Sequence, residues 1–429
     1  MSLRVLQVMS SPRGGVGQVV RMITSRMEHS ATWHVAYPVS YAGGGRGGSG
    51  DESRGDGRND SRREGRPGGS HRYFAEELVV THFLPHEKQK FSPANARKLR
   101  QIVKKHRIDV VHCHVLTAGF WCAQAGLARL VPVVYSGHGI RFRQVKGLES
   151  RLTRLIERYT MRTLTQVTFL TAKEQQIAWE SGLLPRGRGV VVANCIDLLP
   201  QEKPPPSPPP PLLRPSEPPE PPEPSEPPEP QTGLRCRLGL PGTLLVGTCG
   251  RLHYDNNPDL YLEIAAEVIA RAGKPVHFVW IGDGDDRPRL MDQARERGLA
   301  RYMHFPGQVD NATARRWLTE LDLFVMTPRY AGLPLVLLEA MAAGRCVVAP
   351  DIIGIQDVVD DGVSGLLYPP ADPKAAVELI VRLLLEQPET AARIGEEARR
   401  VIEQEYSPEA KMLEGYWQIY TTLAQAAGR

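Results

Sequence analysis

The stretch LDLFVMTPRYAGLPLVLLEAMAAGRCVVAPD, Leu321 to Asp351, reads as one strand–helix–strand unit. LDLFVM and CVVAPD carry apolar side chains on both faces, the mark of strands in a parallel sheet covered by helices on each side. Between them, Gly332 permits an unusual backbone turn, Pro334 suits the first position of a helix, and Gly344 suits its end. A helix starting near Pro334 points its free N–H groups beyond the carboxyl end of the strand, where they favour phosphate oxygens. Glu339 lies one turn along. It can accept bonds from ribose hydroxyls, or it can belong to a buried hydrogen-bond network.

The same rhythm recurs through the chain. RVLQVM (4–9), WHVAYP (33–38), DVVHCH (109–114), PVVYSGH (132–138), VTFLTA (167–172) and VVVAN (190–194) come first, then LLVGTCG (244–250) and VHFVWIG (276–282). With 429 residues, the alternation predicts two α/β domains, each a doubly wound parallel sheet, facing across a cleft. Ligands in such sheets bind beyond the carboxyl ends of the strands. The N-terminal domain is expected over 1–200 and the C-terminal one over 233–405. A last helix within 406–429 sets Met412, Tyr416, Ile419, Tyr420 and Leu423 at helical spacing, to pack back on the first domain. Two tracts lack core residues: the Gly/Arg-rich insertion 43–72 and the Pro/Glu-rich linker 201–232.

Composition excludes more than it assigns. A formal charge of +5 spread among acids is no nucleic-acid footprint. Six cysteines without CxxC spacing read as reduced thiols, and no run approaches a membrane span, so a cytoplasmic protein is expected. In LESRLTRLIERYTMRTL (148–164), Arg151, Arg154, Arg158 and Arg162 share one helix face, either solvated or drawn to an anionic membrane surface.

Several short motifs bear on chemistry. SPRGGVGQVV (11–20) opens a helix after the first strand with glycines that free backbone amides, as a tight turn or as a loop lining the cleft; Gln18 and Val19 exclude a Walker A motif. HCH (112–114) offers two imidazoles at a strand end with no third ligand nearby, so ordinary hydrogen bonds are expected. His138, in YSGHGIRF, stands at a strand's carboxyl end where it can reach a ligand. Asp283 to Asp285 mimics an Asp-x-Asp metal motif, but its place after WIG predicts a turn whose aspartates cap the next helix. Arg251, at the end of the second domain's first strand, can fork onto a diphosphate.

In this order, the GGVG loop, DVVHCH, YSGHG, VVVANCID, GRL, VWIGDG, GLPLVLLEAMAAG and DGVSGLLYPP resemble the family 4 glycosyltransferases of GT-B fold, over nearly the whole chain outside the two tracts. The resemblance implies two Rossmann-like domains and a retaining glycosyltransferase. It would move a sugar from a UDP- or GDP-linked donor to a sugar or lipid-linked acceptor in polysaccharide or glycoconjugate synthesis, with no metal and no cofactor. It further implies that Gly14 and Gly15 line the cleft near the sugar and that His138 hydrogen-bonds it. Arg251 would neutralise the diphosphate, and the amides from Gly332 and Leu333 through Pro334, Leu335 and Val336 would meet sugar and phosphates. Glu339 would hold the ribose, and the backbone at Gln308 and Val309 the base. A front-face route is implied, in which a donor phosphate oxygen helps take the acceptor's proton.

Three positions depart from the family pattern. The first of its paired acids falls on Ala331, the lysine five residues after the arginine of GRL falls on Asn256, and Cys195 replaces a usual glycine. A charge-assisted hydrogen bond contributes about 1.5–3 kcal/mol, so losing two would slow turnover by hundreds-fold unless Tyr330, Arg329 or Asn257 substitutes. Weakened or redirected transfer is the first expectation. A catalytically degraded relative that binds a nucleotide sugar or a partner is the alternative.

Overall fold

The computed structural model describes residues 2–41, 74, 79–87, 89–198, 233–407 and 409–428. The two low-complexity tracts lie outside the described residues. Two compact units result. One comprises Met1–Asn194, Ala331–Pro334 and Glu409–Arg429; the other comprises Cys195–Tyr330 and Leu335–Pro408.

The first unit holds a parallel sheet of β1 (Leu3–Val8), β2 (Ala31–Pro38), β3 (Val79–Leu84), β4 (Val110–His114), β5 (Val133–Ser136), β6 (Gln166–Phe169) and β7 (Val190–Val191), ordered β3-β2-β1-β4-β5-β6-β7. The second holds β8 (Leu244–Cys249), β9 (Val276–Ile281), β10 (Met303–Gly307), β11 (Leu323–Val325), β12 (Cys346–Pro350) and β13 (Leu366–Tyr368), ordered β10-β9-β8-β11-β12-β13. In each sheet the chain reverses its winding direction once, between β1 and β4 and between β8 and β11. Those two reversals are the topological switch points, where helices leave the sheet on opposite faces and open a crevice past the strand ends.

Local chemistry accounts for where several helices start and stop. Pro258 begins helix Pro258–Arg271 at its first position, and Thr171 caps helix Ala172–Glu180 by accepting from Glu174 N at 3.1 Å. Helix Leu335–Ala342 ends in a Schellman motif. Gly344 has φ +70, its N–H donates to Met341 O at 2.9 Å, and Arg345 N donates to Ala340 O at 3.1 Å. The helix starts at Leu335, so Pro334 precedes it and is not its first residue, a shift of one position.

Both cores are apolar and close-packed. In the second unit Tyr261 stands edge-on to Phe278 and Trp280, and its single O–H has two carbonyl acceptors within reach, Val246 O at 3.2 Å and Val279 O at 3.1 Å, which satisfies a polar atom in the middle of the core. In the first unit the terminal helix Ala410–Ala426 buries Met412, Tyr416, Tyr420 and Ala424, while Ile419 and Leu423, expected on that stripe, stay half-exposed.

Candidate functional site

In the first unit the functional candidates gather past β1, β4 and β5. Gly14 has φ +73, and a Cβ on Gly14 or Gly15 would meet nothing within 4 Å, so the start of helix Gly14–Arg26 presents bare backbone to open space. Gly17 differs: its Cβ would strike Pro12 O at 1.8 Å, so it serves close packing.

His138 follows β5 in a left-handed conformation, φ +54, and Val115 follows β4 with φ +61. Such backbone costs a non-glycine residue about 1–2 kcal/mol and is rare for a β-branched one. Two buried carboxylates hold the His138 loop against that strain. Glu174 accepts from Gly139 N at 3.0 Å and Leu170 N at 2.9 Å, while Glu157 accepts from Arg141 N at 2.6 Å and Phe142 N at 3.0 Å. Burial pushes the Glu157 carboxyl up to about 7, against the pull of those two N–H donors. Neither glutamate was legible as functional, because each acts through backbone amides that leave no side-chain signature.

The His138 ring lies against His114, with Nε2 3.0 Å from His114 Nδ1. His114 Nε2 in turn meets Gln7 Oε1 at 2.8 Å, and Gln7 donates to Tyr420 Oη at 3.2 Å. With the glutamine carbonyl facing it, His114 donates from Nε2 and accepts at Nδ1, so His138 donates from Nε2 and keeps Nδ1 as an acceptor. Burial lowers the His138 pKa to about 4, so the ring is neutral at pH 7. His112 bonds Tyr420 Oη at 2.6 Å and Ser136 Oγ at 2.7 Å. The HCH pair is thus a polar network through the terminal helix. The segment Ala331–Pro334 joins the same unit: Asn194 Nδ2 donates to Leu333 O at 2.8 Å, and a Cβ on Gly332 would come within 2.9 Å of His138 O. His138 and Gly332, about 190 residues apart in sequence, are neighbours that only a glycine permits.

In the second unit the candidates surround the β8–β11 switch point. Arg251 leaves β8 half-exposed, with Nη2 3.4 Å from Asp285 Oδ2. Its loop is pressed against the next one: a Cβ on Gly282 would meet Gly250 O at 2.1 Å, and one on Gly284 would meet Leu252 O at 2.1 Å. Asp283 accepts from Gly284 N within the turn, whereas the following helix has Asp286 at its N-cap without a side-chain cap bond, so these aspartates do not cap it as expected. Asn256 donates from Nδ2 to Arg251 O at 2.7 Å, bracing the loop from the position where a lysine was looked for. Arg329, past β11, lies over the Tyr254 ring at 4.3 Å and donates from Nε to Tyr254 O at 3.2 Å. Tyr330 donates to the Asp255 carboxylate in that loop. A second arginine therefore stands on the Arg251 loop.

Glu339 is buried one turn into helix Leu335–Ala342 and accepts from Asn311 Nδ2 at 2.9 Å. Asn311 opens helix Asn311–Leu318, just past the exposed Gln308 and half-exposed Val309. The Cys249 thiol, at the end of β8, is pushed up to about 12 by burial and then by the Glu339 charge, which sets this carboxylate near the strand that delivers Arg251. Leu335 and Val336, expected at the site, lie in the first turn of the Glu339 helix, Leu335 buried and Val336 half-buried.

The description "Glycosyl transferase 4-like domain" matches residues 14–195, and "Glycosyl transferases group 1" matches residues 243–386, most of the chain between them. The chain belongs to the group 1 glycosyltransferases. Among curated members, alpha-D-kanosaminyltransferase of Streptomyces kanamyceticus is 32% identical over 41% of this chain and 45% of its own. The 2-deoxystreptamine N-acetyl-D-glucosaminyltransferase of Streptomyces fradiae is 28% identical over 63% of this chain and 61% of its own. The chain thus spans about half the length of these group 1 relatives. Anabaena HepE in complex with UDP-glucose shares the fold with a TM-score of 0.70 at 16% identity, over 98% of this chain and 100% of that one. Sucrose-phosphate synthase of Thermosynechococcus elongatus gives 0.69 at 18%, over 99% and 100%. Among the described residues, no helix is long and apolar enough to cross a membrane.

Proposed function

We propose that this group 1 glycosyltransferase transfers a sugar from a UDP- or GDP-linked donor to a hydroxyl of a sugar or lipid-linked acceptor, with retention of anomeric configuration. The observation that carries the proposal is the β8–β11 switch point. There Arg251 and Arg329 stand on one loop, and the buried Glu339 carboxylate lies beside the end of β8. Two guanidinium groups suit a diphosphate, and a carboxylate held by Asn311 suits paired ribose hydroxyls. In this reading the diphosphate charge falls to Arg251, Arg329 and helix-end amides. Gly14, Gly15 and His138 would face the transferred sugar, His138 accepting a sugar hydroxyl at Nδ1. The relatives' names, a kanosaminyltransferase, a 2-deoxystreptamine N-acetyl-D-glucosaminyltransferase and a poly(ribitol-phosphate) alpha-N-acetylglucosaminyltransferase, support the reaction class.

Six cysteines, none of them in a disulfide, support residence in a reducing compartment. Leu148, Leu152, Leu155 and Tyr159, exposed on helix Gly147–Thr163 with Arg151 and Arg158 between them, support peripheral contact with an anionic membrane carrying a lipid-linked acceptor. The degraded-relative reading rests on Ala331 alone, since Arg329 offers the cation that Asn256 lacks.

Thermal unfolding with a panel of UDP- and GDP-linked sugars tests the donor class. At 100 times its dissociation constant a donor stabilises the folded chain by about 2.7 kcal/mol, which raises Tm by several degrees. One base should produce this rise with its free diphosphate as well as its sugar conjugates; a flat response to the whole panel would remove the donor assignment.

A further inference from the structure

Three histidines meet on one face of the first unit's sheet. His34 lies in β2 and His82 in β3; because Ala36 pairs with His82, residues 34 and 82 point to the same face. Their rings are stacked within 5° of parallel, with His34 Nδ1 3.1 Å from His82 Nε2. His106 completes the group from the end of helix Pro93–Lys105, its ring centroid 5.1 Å from that of His34 and 4.7 Å from that of His82. One ligand nitrogen from each residue lies within 4.8 Å of the other two.

The backbone is arranged to present His106. Arg107 N donates to Lys104 O at 3.4 Å and Ile108 N to Val103 O at 3.1 Å, a Schellman motif that places Arg107 where glycine is usual. Arg107 adopts φ +51 nonetheless, a left-handed conformation that costs a non-glycine residue energy. Among the described residues, the single hydrogen bond made by the three imidazoles is the one between His34 and His82. Of the cations near the cluster, Arg4 is paired with Asp109 at 3.0 Å, and Lys98 and Lys105 stand close to His82.

We propose that His34, His82 and His106 bind a divalent transition metal, zinc by their chemistry, and that the ion ties helix Pro93–Lys105 to β2 and β3. Imidazoles select zinc and its neighbours over magnesium or calcium, which take oxygen donors. Zinc–nitrogen bonds of about 2.0–2.1 Å set tetrahedral ligand nitrogens about 3.3 Å apart. The His34–His82 spacing already matches such an edge, and His106 needs a side-chain adjustment smaller than an imidazole ring. Three ligands leave a fourth position for water. The site goes beyond the transfer reaction, since His106 precedes β4 at the amino edge of the sheet while His138 follows β5 at the carboxyl edge.

The test uses the full chain stripped of metal by a chelator. Zinc should bind with one equivalent and raise Tm by about 5–10 °C, and cobalt should give the visible absorption of a tetrahedral nitrogen site. His82→Ala and His106→Asn should each abolish both signals, whereas His29→Ala, an exposed histidine outside the cluster, should keep them. No zinc-dependent rise in the native chain, an equal rise in the two cluster variants, or the pale spectrum of six-coordinate cobalt would overturn the proposal. Should a variant fail to fold, the cobalt spectrum of the native chain decides alone.

Discussion

Replacing Arg251 with alanine is expected to lower sugar transfer about 100- to 1,000-fold, the loss that follows when one preorganised stabiliser of developing charge is removed. Arg251 is half-exposed and meets Asp285 at a long 3.4 Å, so its guanidinium is only loosely held. For the same reason it contributes little to stability, and thermal unfolding of the variant should stay within about 0.5 kcal/mol of the native chain. Arg251→Lys keeps a charge and loses the planar fork, so it should recover only part of the activity. Arg329→Ala should cause a comparable but smaller loss, because Arg329 shares its charge with the Tyr254 ring. Unchanged turnover in Arg251→Ala would show that the diphosphate lies elsewhere.

Glu174→Ala is expected to weaken both fold and turnover. The change strands two buried backbone donors, Gly139 N and Leu170 N, at about 1–3 kcal/mol each, and should lower Tm by roughly 5–15 °C. It also releases His138 from its left-handed backbone, so that kcat should fall even at temperatures where the variant remains folded. Glu174→Gln retains one acceptor and should restore part of each property. A variant with native kcat and lowered Tm would make Glu174 a structural residue only. The neighbouring clamp adds a pH arm. Glu157 holds its proton more tightly folded, at about 7, than unfolded, at 4.5, so the folded state loses stability as pH rises through that interval. The loss is on the order of 3 kcal/mol for the native chain and should be absent from the stability–pH curve of Glu157→Gln.

The central strands were legible because continuous apolar runs identify strands covered on both faces, and β1, β4, β8, β9 and β12 all read that way. The edge strands β3, β10 and β13 were not. VVTHFL exposes several side chains, MHFPG contains a proline, and LLY is three residues long, so none displays the run that marks a central strand. Single-residue backbone devices were legible where the cause is local: Gly344 ends a helix and Pro258 starts one. Devices whose cause is distant were invisible. Gly282, Gly284 and Gly332 owe their identity to carbonyls of Gly250, Leu252 and His138, and no periodicity records such approaches. Asn256 shows the same limit in the chemistry. Sequence reads it as a lost cation, while in three dimensions its amide braces Arg251 and Arg329 arrives on the same loop from 75 residues away.

Turnover itself bears most directly on the claim that this chain is a working, retaining transferase. The native chain, given the nucleotide sugar that stabilises it best, should release the nucleoside diphosphate slowly and form a glycoside whose anomeric configuration, read by NMR, equals that of the donor. Ala331→Glu, which leaves the Asn256 brace in place, should accelerate that transfer. Tight donor binding with no glycoside formed by either chain, or a product of inverted configuration, would contradict it.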